Sequence, residues 1–176
     1  MDINGVQIDD TFAEGFPIKL ARVIITAVTE RWALEAAREA TGFGTSVIGC
    51  SAEAGIERIL TGDETPDGRP GVSILICNMG YKNLENSLLF RLGQCVLTAP
   101  TTAAFSGMHD AEKQFDTGKK LKFFGDGFEK QAEMYGRNIW KIPLMSGEFI
   151  VEQNFGAVDG VAGGNFLILA QNQASG

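Results

Sequence analysis

The sequence predicts an α/β (α+β) domain in which two helices cover one face of a mainly antiparallel sheet, with an extra hairpin in the second half. Three observations carry this. A β-branched apolar run opens the domain, two segments repeat apolar residues at helical spacing, and short apolar runs separated by glycine turns fill the rest. In order, Leu20–Val28 (LARVIITAV) reads as a buried strand. Thr29 then caps a helix over Glu30–Ala40, where Trp32, Ala33, Ala36, Ala37 and Ala40 form one stripe and Gly42 supplies the stop. Phe43–Cys50 and Ala54–Leu60 follow as strands, the latter feeding the turn Thr65-Pro66-Asp67-Gly68-Arg69-Pro70-Gly71. Val72–Cys77 is a short buried strand. Asn83 caps a second helix to about Val96, with Leu84, Leu88, Leu92 and Val96 in i, i+4 register.

The second half reads as strands and turns. Leu121–Phe124, the turn Asp126-Gly127 and Phe128–Tyr135 form a hairpin. Gly136-Arg137 turns into Asn138–Leu144, which Pro143 places at an edge or ends. Glu148–Gln153, a glycine-rich loop over Gly156–Gly164 and the apolar strand Phe166–Ala170 complete the chain. Twenty-two of the 176 residues are glycine, well above the ordinary share of about 7%.

Composition narrows the function classes. The net charge of −7 and the absence of a basic block argue against nucleic-acid and membrane-surface roles. No apolar run is long enough to span a bilayer, and Met1–Asp10 lacks the apolar core of a signal peptide, so a cytoplasmic protein is expected. Cys50, Cys77 and Cys95 are scattered, which suits small buried hydrophobes in a reducing compartment and excludes a zinc-ligand pattern; no metal is expected. The one histidine, His109, reads as a solvated loop residue.

Several groups are candidates for chemistry, each with a structural alternative. Gly160–Gly164 is either an anion cradle or a loop of positive-φ glycines before a strand. Glu53 and Glu57 share one face of a strand with Gly55, as an acid–base pair or as a solvated face beside Arg58. Thr98-Ala99-Pro100-Thr101-Thr102 offers hydroxyls and small side chains, as a pocket wall would. Lys119-Lys120-x-Lys122 is an anion site or the wet side of a strand.

Taken together, Thr11–Glu14, Glu39–Ile48 (EATGFGTSVI), Ala52–Glu57 (AEAGIE), Thr65–Gly71 (TPDGRPG), Leu92–Thr102 (LGQCVLTAPTT), Leu121–Phe124 (LKFF) and Gly160–Phe166 (GVAGGNF) resemble, in order and spacing, the formylmethanofuran–tetrahydromethanopterin formyltransferase family. The resemblance also extends to the related subunit of the bacterial formyltransferase/hydrolase complex. It implies a ferredoxin-like split β-α-β lobe, with residues 1–147 as the N-terminal (proximal) lobe. Residues 148–176 are then the connecting segment and first strand of an incomplete second lobe. It implies transfer of a formyl group from N-formylmethanofuran to N5 of tetrahydromethanopterin in one-carbon metabolism and methanogenesis. No prosthetic group is bound, the two C1 carriers are substrates, and a homo-oligomer or a complex with a second-lobe partner is expected. The alternative is a truncated non-catalytic lobe that binds a carrier or serves assembly.

Formyl transfer between amines passes through a tetrahedral intermediate and needs positioning, oxyanion stabilisation and a proton path rather than a nucleophilic side chain. The proton-handling glutamate of the resemblance lies beyond these residues, so no catalytic residue is assigned. The substrate-binding candidates are Glu14, Glu53 and Glu57 toward N–H groups and Thr41, Thr98, Thr101 and Thr102 through hydroxyls. Arg58 and Arg69 are candidates toward carboxylate or phosphate tails, Arg69 having a turn-stabilising alternative.

Overall fold

The computed structural model describes residues 2–3, 5–7, 9, 14–145, 147–163 and 171–172. A small hairpin of β1 (Asp2–Ile3) and β2 (Val6–Gln7) precedes the body. The body begins with β3 (Gly15–Thr26), α1 (Glu30–Thr41), β4 (Glu53–Leu60), β5 (Gly71–Asn78), α2 (Tyr81–Arg91) and β6 (Ala103–Ser106). In space these strands run β4-β5-β3-β6, with antiparallel neighbours. β5 therefore lies between the strands that α1 connects, and β3 between those that α2 connects. This is the double split β-α-β of a ferredoxin-like lobe, as expected.

The remaining elements are β7 (Lys113–Phe115), α3 (Thr117–Leu121), β8 (Lys130–Met134), β9 (Arg137–Leu144), β10 (Gly147–Glu152) and β11 (Phe155–Gly163). β10 joins β6 in the sheet's one parallel pairing among the described strands, and β9 and β8 extend that edge. β11 pairs with the first half of β3 and with β7. Pro143 in β9 pairs with β10 beyond the last residue that β8 pairs, so β9 has a free edge there, the kind of position where a strand tolerates proline.

Strand alternation places the core. Ala21, Val23 and Ile25 of β3 and Val72, Ile74 and Ile76 of β5 meet the Ala33, Ala36, Ala37 and Ala40 stripe of α1 and Leu84 and Leu88 of α2. Alanine lets α1 lie close to the sheet. Thr29 caps it as expected, its hydroxyl accepting the Trp32 N–H at 3.3 Å. The opposite face holds a smaller cluster of Ala103, Phe105 and Ile139 with Ile24. The three cysteines are half-buried and unpaired.

Several expectations are corrected. Phe43–Cys50 is a turn-rich loop rather than a strand, held by three carbonyls that the buried Arg91 takes: those of Ala40, Gly42 and Phe43. Gly42 ends α1 in an extended conformation, and α2 starts at Tyr81 behind Gly80 rather than at an Asn83 cap. Its last part, Leu92–Val96, is π-helical. Leu121–Phe124 closes α3 and a 3-10 turn instead of forming a strand, so the hairpin is β8–β9 through Tyr135-Gly136. Residues 156–163, read as a loop, are strand β11, and none of its glycines has a positive φ. The strand expected over Phe166–Ala170 lies outside the described residues.

Gly156 owes its place to contact. A Cβ there would collide with the Met108 carbonyl oxygen, while its N–H donates to Ser106 Oγ at 3.0 Å. Gly156→Ala should therefore destabilise the protein by about 1–3 kcal/mol in a urea denaturation experiment. An unchanged midpoint would show that the β11–β7 ladder is not tightly fixed.

Candidate functional site

Two polar sites bracket the C-terminal half of β3. The first starts in the turn before β5. Asp67, whose carboxylate is 2% exposed, accepts from Arg69 Nε at 2.7 Å, from the Arg69 N–H at 3.2 Å and from Thr26 Oγ1 at 2.7 Å. Arg69 spends its other nitrogens on Thr26 Oγ1 at 2.9 Å and the Thr101 carbonyl at 2.7 Å. The guanidinium is thus a planar fork joining a turn, a strand end and a loop. The loop is 97–102, at the exit of the π-helical segment. Thr101 sits at φ 63°, a strained conformation for a β-branched residue. Its hydroxyl accepts the Val28 N–H at 3.2 Å. Thr102 donates to the Val96 carbonyl at 2.5 Å and Thr98 to the Gln94 carbonyl at 2.8 Å. Arg69, the loop, Leu144, Gly147 and Glu148 enclose a cavity of about 280 Å³. Non-glycine left-handed backbone and π-helical turns recur at functional sites, and here both adjoin one cavity.

The second site lies on the sheet face that α1 and α2 leave free. Arg22 donates bidentately to Glu57, Nε to Oε2 at 2.7 Å and Nη2 to Oε1 at 2.6 Å, and Ser73 Oγ donates to Oε2 at 2.7 Å. A bulge in β4 between Ile56 and Arg58 brings Glu57 over Ser73. The Arg22 guanidinium, and secondarily the Ser73 hydroxyl, hold the Glu57 carboxyl below the usual range; the Glu57 hydrogen bond raises Arg22 in return. Beside them Arg58 pairs with Glu64 at 2.5 Å, and this pairing, with bonds from Thr61, takes Glu64 from 4.5 to about 2. These groups line a cavity of about 360 Å³. Gly107 backs it, since a Cβ there would strike Arg22 Cγ at 2.5 Å.

The structure thus gathers Arg69, Thr98, Thr101 and Thr102 at one site and Glu57 and Arg58 at the other. Glu53 shares the free face but accepts the Val47 N–H at 3.3 Å, so the two carboxylates do not form a dyad. Thr41 donates to the Ala37 carbonyl at 2.8 Å at the end of α1, and Glu14 is exposed ahead of β3. The Lys119-Lys120-x-Lys122 run is on helical turns, not a strand: Lys120 binds Glu85 and Asp116, and Lys122 lies 4.9 Å over the Trp140 ring. His109 lies beside Asp110 at 3.1 Å, half exposed. Among the described residues no three His, Cys, Asp or Glu side chains are grouped to hold a metal, and no helix is long and apolar enough to cross a membrane.

Comparison with known proteins decides the family. The model of formylmethanofuran-tetrahydromethanopterin formyltransferase matches residues 1–144. The chain belongs to this family. A second model, described as the proximal lobe of the formyltransferase, matches residues 147–176. The chain is 63% identical to the formyltransferase of Methanosarcina mazei over 99% of its own length and 59% of that protein's, and 61% identical to that of Archaeoglobus fulgidus with the same coverage. It therefore spans somewhat over half the length of these relatives. The solved Methanosarcina barkeri formyltransferase is 62% identical and superposes with a TM-score of 0.89, over 93% of this chain and 55% of that one. A chain of the Methylorubrum extorquens formyltransferase/hydrolase complex, solved with methylofuran, is 46% identical with a TM-score of 0.83 over 92% of this chain and 54% of that one.

Within this family member, sequence reasoning overlooked Arg22, Thr26, Asp67 and Ser73 as site residues. Arg22 had a signal: it is the one charge inside the apolar run LARVIIT, at a position whose alternation points away from the helices. Asp67 and Thr26 had none, because their burial comes from a turn folding onto a strand end. Glu57 and Glu64 have folded-state pKa values below their unfolded ones, so their stabilisation is present above about pH 4.5 and is lost as pH falls, for Glu64 as it falls toward 2. Glu57→Gln and Glu64→Gln should each lower stability at pH 7 and flatten its decline below pH 4.5, for Glu64→Gln down to about pH 2, read by urea unfolding at acid pH. A decline identical to wild type would remove both pairings from the acid response.

Proposed function

We propose that this chain works in the transfer of a formyl group from N-formylmethanofuran to N5 of tetrahydromethanopterin. The carrying observation is the near-complete alignment of its residues with formyltransferases at high identity. The geometry is compatible with that chemistry. The attacking N5 forms a bond to the formyl carbon, its π electrons move to oxygen, and collapse of the intermediate breaks the C–N bond to methanofuran. The proton leaving N5 ends on the departing amine. Nothing in this sequence needs a side-chain nucleophile, and the two sites described here offer positioned hydroxyls, carbonyls and ion pairs instead.

In this reading the Thr98–Thr102 loop is a polar wall for one carrier, held by Arg69 from behind. Glu57 and Arg58 on the free sheet face, Glu53 on the same face, Thr41 at the end of α1 and Glu14 ahead of β3 meet polar groups of the substrates. Residues 1–147 serve as the N-terminal lobe, with 148–176 leading into a second one. Assembly as a homo-oligomer or within a larger complex belongs to this reading, and the Methylorubrum relative, solved within a formyltransferase/hydrolase complex, supports the second form. Free cysteines and the acidic surface suit a cytoplasmic setting.

The test is a formyl-transfer assay on the protein with both carriers. Wild type should form N5-formyl-tetrahydromethanopterin, and Thr101→Ala, which relaxes the strained loop, should reduce kcat/KM by about tenfold or more while the melting temperature moves little. Absence of formylated product from the folded wild-type protein would overturn the reading.

A further inference from the structure

The chain holds three Asp-Gly pairs: Asp67-Gly68, Asp126-Gly127 and Asp159-Gly160. An aspartate followed by glycine is prone to backbone rearrangement, because no Cβ hinders the glycine nitrogen as it approaches the aspartyl side chain. The fold treats the three pairs differently. The Asp67 carboxylate, 2% exposed, accepts from Arg69 and Thr26, and the Gly68 N–H donates to the Thr65 carbonyl at 3.5 Å. Asp159 lies in β11, where its Oδ1 accepts from Lys19 Nζ at 2.7 Å and from Tyr81 Oη at 2.5 Å, and Gly160 pairs with Ile18 of β3. In both places the carboxylate is held by donors and the backbone is fixed by a turn or a partner strand, so the two cannot swing together.

Asp126 has neither restraint. It links the 3-10 turn Lys122–Gly125 to β8, exposed, at φ 50° and ψ 33°, a left-handed conformation that aspartate tolerates. Among the described residues nothing donates to its carboxylate. Gly127, at φ 88°, has nothing within 4 Å of where a Cβ would sit. Its N–H is engaged by a base: Glu129 Oε2 accepts it at 3.0 Å.

We propose that Asp126 is a site of spontaneous isoaspartate formation in the folded protein, with Glu129 as the base that takes the Gly127 proton. The Gly127 nitrogen attacks the carbon of the protonated Asp126 carboxyl, a C–N bond forms, and the N–H proton passes to Glu129. Glu129 returns that proton to the departing hydroxyl, which leaves as water. The resulting succinimide adds water at the former peptide carbonyl, whose C–N bond breaks. The chain then runs through the side-chain carbon and the α-carboxylate is free. The product carries one more backbone carbon inside a turn that is closed by the Asp126 N–H on the Phe123 carbonyl at 3.2 Å and the Phe128 N–H on the Gly125 carbonyl at 2.8 Å. Its free carboxylate is exposed, as esterification by an isoaspartate-specific methyltransferase requires.

The experiment incubates the folded protein in mildly acidic buffer at physiological temperature, digests it, and follows the peptides spanning the three pairs by mass spectrometry. Methyl esterification by an isoaspartate-specific methyltransferase is the second readout. Wild type should pass through a species lighter by one water and accumulate isoaspartate at Asp126 several-fold ahead of Asp67 and Asp159. The same incubation in urea should bring the three sites level, because the selection comes from the fold. Glu129→Gln keeps an acceptor for the Gly127 N–H and removes the base. It should slow the reaction at Asp126 several-fold in the folded protein and leave the rate in urea unchanged. Isoaspartate appearing first at Asp67 or Asp159, equal rates at all three in the folded protein, or none at Asp126 over a period in which the unfolded chain is modified, overturns the site. A Glu129→Gln rate equal to or above that of wild type overturns the base.

Discussion

The fold depends on a single long strand whose two edges are both in use. β3 pairs with β5 along eight residues, with β6 at its C-terminal end and with β11 at its N-terminal end. A strand that satisfies its backbone on both edges cannot slip register, because a shift of one residue would drive Arg22 into the alanine face of α1 and expose Val23. The same alternation that sends Ala21, Val23 and Ile25 to the helices delivers Leu20, Arg22 and Ile24 to the free face and Thr26 to the Asp67–Arg69 turn. Core and candidate site are thus set by one period-2 pattern read from opposite sides.

Around that strand, polar groups fasten loops that hydrophobic packing does not reach. Arg91, 8% exposed, caps the carbonyls at the end of α1 and fixes the loop that replaces an expected strand. Arg137 and Glu152 do the same between β9, β10 and β6: Glu152 accepts from Arg137 at 2.6 Å and from the Ser106 N–H at 2.8 Å. Each arginine bridges segments far apart in sequence, which suits the guanidinium's rigid fork of donors. Losing one partner of such a buried set leaves a charge or carbonyl unsatisfied, so these ties act as single units. Arg69 belongs to this group. Its charge is absorbed by Asp67, and its contribution to the cavity is the posture of Thr101.

The sequence by itself determined α1, the body of α2, strands β3, β4 and β5 and the family, because those rest on local signals, whereas β6 and α3 went unread. The Ala33–Ala40 stripe, the Thr29 cap and the β-branched run of β3 each act within a few residues. The family resemblance likewise rests on contiguous motifs. Residue type and spacing also marked Glu57, Arg58, Arg69 and the Thr98–Thr102 loop as residues of interest. What only the tertiary structure decided are pairings between segments. The FGTSVIGC run is apolar enough for a strand, yet Arg91 takes the carbonyls at its start and no neighbouring strand pairs with it. The glycines of β11 lie in extended pairing, Gly156 with β7 and Gly160 with β3, where close approach rather than φ fixes them. Glu53 and Glu57 share a face but a bulge and Arg22 send Glu57 to a different partner. Backbone bonds between strands and the reach of an arginine act across tens of residues, so no local window of sequence contains them.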